Sequence, residues 1–261
     1  MKYFFFDIDG TLTSFKEYGK IPANTLEAIA RLQKTEHFVA LATGRARCLA
    51  EEFAQKIGID NYVCEGGNCL VKNNELVYYD YPDTKEIHAF IKQCETLQIP
   101  YIMSLEDNKR GYTKYPDFSE DIIKNIKILQ ELVYDPNLTY QDKQIRRLFV
   151  KNDVAKVSQL TGYKTLCLMG YEWSPLRLIE PDDKYRGIAK MVEMLGGSQA
   201  DIVVFGDGVN DIKMFEKAAF KIAMGNACDE LKALSDYITY DSDNDGIGHA
   251  LRHFGWIKDE D

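Results

Sequence analysis

The chain begins with a short apolar run that ends in two carboxylates. Tyr3–Phe6 is wholly aromatic and is followed by Asp7, Asp9 and Gly10. Such a run is too short for a buried helix, so we predict a buried, parallel β-strand over Tyr3–Phe6. Side chains two residues apart in an extended chain point the same way, so both carboxylates can face one space beyond the strand. Gly10 permits the sharp turn that follows.

Apolar runs and helical periodicity then alternate through the first 80 residues. Residues 24–27 have the spacing of a capping box, which predicts a helix that begins near Asn24. A second helix is indicated by apolar residues at fourfold spacing, with Gly58 as its stop. The predicted strands are Phe38–Ala42 and Tyr62–Cys64, and residues 69–79 predict a hairpin that turns at Asn73 and Asn74. This order is typical of a doubly wound parallel sheet.

The pattern changes near Tyr81, where strands and helices no longer alternate regularly. Residues 83–86 have capping-box spacing at the start of a helix that continues to Leu97. The other predicted elements are a strand at 101–103, a polar loop at 106–116, a helix at 119–133, a strand at Arg147–Lys151, a helix at 154–160 and strands at 165–169 and 176–179. This mixture predicts a separate α+β domain.

The alternating pattern returns near residue 182. The predicted elements are a helix at 184–195, a strand at 202–205, a helix at 211–218, a strand at 220–224, a short helix after Asp229 and a strand at 237–239. We therefore predict a core domain made of residues 1–81 and 182–261, with a cap domain over residues 82–181. The predicted fold class is α/β, a doubly wound parallel (Rossmann-like) sheet core with an inserted α+β cap domain.

A second acidic strand end lies far along the chain from the first. The apolar run at 202–205 is followed by Asp207 and Asp211. Ligands bind beyond the carboxyl ends of strands in open parallel sheets, so we expect the two acidic ends to meet. Four carboxylates in one cleft, Asp7, Asp9, Asp207 and Asp211, take up protons unless a cation neutralises them. Oxygen ligands without nearby His or Cys favour Mg²⁺, which we predict as the cofactor.

Four motifs carry a family resemblance when they are taken in chain order. They are Asp-Ile-Asp-Gly-Thr at 7–11, Ala-Thr-Gly-Arg at 42–45, Lys184, and Gly-Asp-Gly-Val-Asn-Asp at 206–211. Together they resemble the motifs of the haloacid dehalogenase-like (HAD) hydrolase superfamily, in particular its Cof-type phosphatases with a C2-type cap. The resemblance spans nearly the whole chain. It implies a Mg²⁺-dependent phosphatase whose partner is a small phosphorylated metabolite, with sugar phosphates the commonest substrates.

The resemblance assigns the catalytic roles to the first motif. Asp7 would be the nucleophile that forms an aspartyl-phosphate, and Asp9 would protonate the leaving alcohol and later take a proton from water. The family implies that the metal bridges Asp7, the phosphate, Asp207 and the backbone carbonyl of Asp9. Asp211 would bind the metal directly or through water. Spacing alone does not rank Asp7 above Asp9.

Three further residues are candidates to bind the phosphate. Thr43 and Gly44 follow a predicted strand and open a predicted helix, so a hydroxyl and a free amide can bond a phosphate oxygen where the helix dipole helps. An ordinary N-cap threonine is the alternative. Asn210 is the third candidate, with helix capping as its alternative role.

A cation that neutralises the phosphate is the remaining expected part of the site. The resemblance points to Lys184, held by an acidic residue such as Asp211. Arg186 is the rival, because in many relatives the cation directly precedes a glycine, as Arg186 precedes Gly187 here. The Lys-x-x-Gly-Ile spacing, which other relatives share, favours Lys184.

Composition narrows the class of partner. The chain has 261 residues, of which 45% are hydrophobic, and its net charge is -9, which argues against nucleic acid or an anionic membrane as a partner. No apolar run approaches about 18 residues, so we expect no membrane span and, with no leader pattern, a cytoplasmic protein. Six cysteines without a Cys-x-x-Cys pair are expected to be free thiols. Oligomeric state stays open.

Other patterns in the sequence, and other functions, are alternatives to this hypothesis. Residues 241–246 begin like an EF-hand loop, but Arg252 occupies the position that requires a bidentate glutamate, so we predict a strand-to-helix turn. Residues 65–68 lack the Asn-Gly pair that relatives often carry there. A phosphomutase or phosphotransferase of the same superfamily differs only in the acceptor. A non-enzymatic phospho-accepting or binding protein is the third alternative.

Overall fold

A computed structural model describes residues 1–17, 19–118, 128–170 and 174–258. The chain divides into two compact units. The first consists of residues 1–45, 50–79 and 183–261, and the second of residues 46–49 and 80–182.

The first unit contains an eight-stranded sheet. Its strands are β1 (Tyr3–Phe6), β2 (Phe38–Ala42), β3 (Tyr62–Cys64), β4 (Cys69–Lys72), β5 (Glu75–Tyr79), β12 (Ile202–Gly206), β13 (Phe220–Ala223) and β14 (Tyr237–Ile238). The spatial order is β14-β13-β12-β1-β2-β3-β4-β5. All neighbours are parallel except in the terminal β3-β4-β5 meander, which is antiparallel. β1 therefore lies between β12 and β2, at the centre of the parallel part.

Helices cover both faces of this sheet. They are α1 (Ala23–Leu32), α2 (Arg47–Ile57), α5 (Lys184–Met194), α6 (Ile212–Lys217), α7 (Asp229–Leu234) and α8 (Gly246–His253). Phe4 and Phe6 of β1 pack in one core cluster with α1, α2 and α8. Phe5 packs in a second cluster with α5, α6 and α7. Because a strand turns alternate side chains to opposite faces, the aromatic run supplies both cores, as a doubly wound sheet requires.

The second unit contains a six-stranded sheet and two described helices. Its strands are β6 (Tyr101–Ser104), β7 (Arg110–Thr113), β8 (Glu131–Tyr134), β9 (Arg147–Lys151), β10 (Leu166–Met169) and β11 (Leu176–Pro181), in the order β10-β11-β9-β6-β7-β8. The helices are α3 (Thr84–Thr96) and α4 (Val154–Val157). α3 packs on one face of the sheet through Phe90 and Ile91.

Several predicted elements differ from the structure. The helix predicted from a capping box at Asn24 begins at Ala23 after Pro22, and no side chain caps it. The loop predicted at 106–116 contains β7, where Gly111 allows a close approach because a Cβ would lie 2.5 Å from Ile102 Cγ2. The helix predicted at 119–133 is wrong at its end, where β8 lies; residues 119–127 are outside the described residues.

The bounds of two helices, α4 and α8, also differ from the prediction or were not predicted. The helix predicted at 154–160 ends at Val157. The helix that the turn at 241–246 implies was given no bounds from the sequence; it is α8, in which Ile247 and Leu251 are buried. The strand-to-helix turn predicted at 241–246 is confirmed: Ser242–Asn244 forms a short turn and Asp245 adopts a left-handed conformation before α8.

Candidate active site

The two acidic strand ends meet at the centre of the sheet. β1 and β12 are adjacent and parallel, with Phe6 opposite Phe205, and the Asp7 N–H donates to the Phe205 carbonyl at 3.0 Å. Carboxylate oxygens of Asp7, Asp207 and Asp211 all lie within 4.8 Å of one another. The structure therefore confirms the prediction that the carboxylates at positions 7 and 207 lie close together.

The turn after Asp7 wraps closely over Asp207. Gly10 has a φ of +89°, and a Cβ there would collide with the Asp207 carboxylate. Thr11 Oγ1 donates to Asp207 Oδ1 at 2.7 Å. Glycine is therefore required at position 10 for two reasons. Its positive φ would be strained for any other residue, and its lack of a side chain makes room for Asp207.

Lys184 is the cation that lies among these carboxylates. It begins α5, and its Nζ donates to Asp7 Oδ1 and to Asp211 Oδ1, both at 2.6 Å. Burial disfavours its charged form, but attraction to Asp211 and Asp7 outweighs burial and raises the Lys184 pKa. The predicted pairing with Asp211 is present. The rival, Arg186, instead donates to Asn68 Oδ1.

Asp211 also fixes the turn that follows β12. Its Oδ2 accepts hydrogen bonds from the Asp207 N–H at 3.0 Å and from the Gly208 N–H at 3.1 Å. One carboxylate therefore orients both Lys184 and the backbone that carries Asp207. Asp211 is fully buried, so each of these bonds is formed out of water.

The carboxylates lack sufficient positive charge. Burial first, and then the nearby Asp211, raise the pKa of Asp7 well above its ordinary value, although Lys184 opposes the shift. Burial raises the pKa of Asp207 to about 7 despite the bond from Thr11. A group of carboxylate oxygens whose negative charge is not fully neutralised fits a hard divalent cation. Asp7, Asp207 and Asp211 are the carboxylates that could hold one.

Asp9 does not belong to the group formed by Asp7, Asp207 and Asp211. Both of its carboxylate oxygens accept from Arg45, Oδ2 from Nε at 3.0 Å and Oδ1 from Nη2 at 2.6 Å. Metal binding by the Asp9 backbone carbonyl stays a prediction. The sequence assigns no role to Arg45, although its place two residues after Thr43 is a signal that it lies beside the expected phosphate site.

The expected phosphate-binding residues lie on turns at the carboxyl ends of the strands. Thr43 directly follows β2 and is buried, and its Oγ1 accepts from the Arg45 N–H at 3.2 Å. α2 begins only at Arg47, so Thr43 and Gly44 precede the helix and do not open it, which corrects the helix-terminus prediction. Asn210 lies on the turn Val209–Asp211 that follows β12. Their contacts with phosphate stay predictions.

Comparison with known proteins settles the family. A profile of haloacid dehalogenase-like hydrolases matches residues 4–251. The chain belongs to the haloacid dehalogenase-like hydrolase family. "Putative phosphatase YkrA" of Bacillus subtilis is 30% identical over 98% of this chain and 99% of its own. Phosphoglycolate phosphatase 1 of Saccharolobus solfataricus is 27% identical over 92% of this chain and 90% of its own.

A solved structure agrees with this membership of the HAD family. The HAD subclass IIB sugar phosphatase BT4131 superimposes with a TM-score of 0.79 at 28% identity, over 98% of this chain and all of the other. The predicted family, fold class and enzyme class, a HAD phosphatase, are confirmed. Within the ranges that the structure describes, no helix is both long and apolar enough to span a membrane.

Proposed function

We propose that this HAD phosphatase hydrolyses small phosphorylated metabolites through an aspartyl-phosphate on Asp7, with Mg²⁺ as cofactor. The observation that carries the proposal is the convergence of Asp7 with Asp207, Asp211 and Lys184 at the ends of β1 and β12. Lys184 engages Asp7 Oδ1 and so leaves Oδ2 as the oxygen that reacts.

The proposed reaction has two steps, formation of the aspartyl-phosphate and its hydrolysis. In the first, an electron pair of Asp7 Oδ2 forms a bond to phosphorus, the bond to the leaving oxygen breaks, and Asp9 donates a proton to that oxygen. In the second, a water oxygen bonds to phosphorus and the bond to Asp7 breaks, with its electron pair returning to the carboxylate. One water proton passes to Asp9, which restores the form that begins the next cycle.

The surrounding residues supply charge and orientation. Asp7, Asp207, Asp211 and the backbone carbonyl of Asp9 would hold Mg²⁺, which when bound neutralises carboxylate and phosphate charge and aligns the groups that react. The ammonium of Lys184 keeps Asp7 fixed in a site where both side chains are at most 5% exposed. Thr43, Gly44 and Asn210 would donate hydrogen bonds to the oxygens of the transferred phosphoryl group. Such transfers depend mainly on positioning and charge.

The substrate class follows from the relatives. Two of the proteins named above are a phosphoglycolate phosphatase and a sugar phosphatase. We infer a small phosphomonoester of this kind, which carries its phosphate on a primary or secondary alcohol. Since the residues at the ends of β1 and β12 are assigned to phosphate and metal, specificity would depend on residues that contact the rest of the substrate.

The test is phosphate release by the purified protein. We expect inorganic phosphate from some members of a panel of sugar phosphates and phosphoglycolate with Mg²⁺, and none with a chelator. Asp7→Asn should abolish turnover and keep the wild-type circular dichroism spectrum. Asp142→Asn, an exposed carboxylate in the second unit, is the matched control and should leave turnover unchanged.

Three outcomes would contradict the proposal. Phosphorylated product without free phosphate would show a phosphomutase or phosphotransferase. No turnover of any substrate with Mg²⁺ present would favour a binding protein. Undiminished activity of Asp7→Asn would remove the covalent step from Asp7.

A further inference from the structure

Arg45 and Asp9 form a two-point contact beside the reacting carboxylate. Nε and Nη2 of Arg45 each donate to a different oxygen of Asp9, at 3.0 and 2.6 Å. Two parallel N–H···O bonds fix the plane of a carboxylate as well as its position, which a single lysine ammonium does not. The contact joins residues 36 positions apart in sequence, so it is set by the fold.

Arg45 is itself held from three sides. Its guanidinium lies over the Phe53 ring, with Cζ 5.2 Å from the ring centroid. The backbone N–H of Arg45 donates to Thr43 Oγ1, and the backbone carbonyl of Arg45 accepts from the Glu65 N–H at 2.9 Å. Glu65 adopts a φ of +51°, a conformation that non-glycine residues rarely take, so the chain bends to make this contact. Backbone and side chain of Arg45 are therefore both fixed before any substrate binds.

We propose that Arg45 is a positioning residue that holds Asp9, through this two-point contact, in the orientation from which Asp9 takes a proton from the attacking water. This inference rests on the proposed function. Between the two steps Asp9 has given its proton to the leaving alcohol and is a carboxylate. A guanidinium that engages both oxygens suits that form. When water transfers a proton to one oxygen, Arg45 keeps its bond to the other.

The proposal predicts a defect in the second step. Hydrolysis of p-nitrophenyl phosphate separates the two steps, because p-nitrophenolate leaves without needing a proton. For Arg45→Met we expect a burst of about one p-nitrophenol per enzyme, followed by a steady rate about 10- to 100-fold below wild type. The value of kcat/KM should change by less than about threefold, because it reports substrate binding and the first step, so KM should fall in parallel with kcat.

A double-mutant cycle tests whether Arg45 acts through Asp9. The variant Asp9→Asn should be slow, and Asp9→Asn with Arg45→Met should be equally slow within about twofold, because the second change removes a contact that no longer matters. Arg45→Lys retains the charge and the packing on Phe53 but cannot make the two-point contact with Asp9. This variant should therefore also be slow and show the burst. It replaces Arg45→Met if that variant fails to fold.

Controls and contrary results complete the test. Arg31→Met removes a guanidinium from α1 and should match wild type. A raised KM with unchanged kcat would show that Arg45 binds substrate, and multiplicative losses in the double variant would show that it acts apart from Asp9. Full activity of Arg45→Lys would show that charge alone suffices. Each of these overturns the inference and leaves the proposed function intact, whereas an inactive wild type would overturn both.

Discussion

Lys184 Nζ lies 2.6 Å from Asp7 Oδ1, and both side chains are almost completely excluded from solvent. A buried carboxylate beside other carboxylates binds protons strongly, and a protonated Asp7 is a poor nucleophile. The ammonium favours the ionised form while it engages only one of the two oxygens. The same ammonium binds Asp211, so a single lysine connects the strand end that reacts with the turn that carries Asp207.

Lys184→Met should destabilise the metal-free protein. The substitution leaves two buried carboxylates without their cation, for which we expect a loss of about 3–5 kcal/mol in the free energy of unfolding, together with loss of turnover. Urea denaturation in the presence of a chelator measures the change. Lys190→Met, on the same helix, is the control and should lose less than about 1 kcal/mol, since Lys190 contacts the Tyr78 ring and not a buried acid. Equal stability of the two variants would contradict the assigned role.

Gly10→Ala should impair metal binding and activity. The added Cβ collides with the Asp207 carboxylate, so one of the two must move. We expect at least about tenfold weaker Mg²⁺ binding, measured by calorimetry, and a comparable loss of turnover. Gly58→Ala is the matched control, because Gly58 also has a positive φ, +73°, but open space where its Cβ would lie. It should cost about 1 kcal/mol of stability and leave Mg²⁺ binding unchanged.

Stability of the metal-free protein should fall as pH rises toward neutrality. The pKa of Asp207 is raised by burial from an ordinary value of 3.8 to about 7. Between these two values the folded protein holds a proton that the unfolded chain has released, so the stabilisation is complete below pH 3.8 and is lost as pH rises through about 7. Mg²⁺ displaces this proton, so its affinity should increase with pH over the same interval.

Urea denaturation with a chelator, at about pH 5 and about pH 8, checks the Asp207 prediction. The control is Asp207→Asn, which cannot titrate, so the difference between wild type and variant isolates this carboxyl from all others. The wild type should lose stability relative to the variant between the two pH values. A difference that does not depend on pH would contradict the raised pKa.

The strands of the first unit and most of the candidate site could be predicted from local sequence. A buried parallel strand is a short apolar run, and in both Tyr3–Phe6 and Ile202–Gly206 the carboxylates follow directly. The spacing after Lys184 distinguished it from Arg186. Arg45 could not be given a role in this way, because its partner Asp9 lies 36 residues away and nothing local to Arg45 indicates the contact.

The strand β7, which was missed, and the helix α8, whose bounds were not predicted, depend on tertiary packing. β7 lies in a polar segment and contains Gly111, which is disfavoured in strands; it forms a strand in which Gly111 fits against Ile102 of β6. α8 is short and contains two glycines, Gly246 and Gly248, so its own helix propensity is low and its burial against the sheet stabilises it.

Glu86→Gln should destabilise the second unit without touching the site chemistry. Glu86 Oε1 accepts from the Lys164 N–H at 2.7 Å, and its Oε2 from Thr165 Oγ1 at 2.7 Å, so one carboxylate anchors the segment that enters β10. An amide cannot accept through both of its ends, and we expect a loss of about 1–3 kcal/mol. Hydrogen exchange at residues 164–166 should accelerate, while kcat on any substrate the wild type turns over stays within about twofold.

The effect of Glu86→Gln should also vanish in acid. Burial opposes ionisation of Glu86, but the hydrogen bonds from residues 164–166 outweigh it and lower its pKa below 4.5. A lowered carboxyl pKa stabilises the folded state above pH 4.5, and this stabilisation is lost as pH falls through the folded-state pKa. Wild type and variant should therefore converge in stability in that range. Glu193→Gln, an exposed change on α5, should show no such pH dependence, and a constant difference between wild type and Glu86→Gln would show that the charge of Glu86 is not what anchors β10.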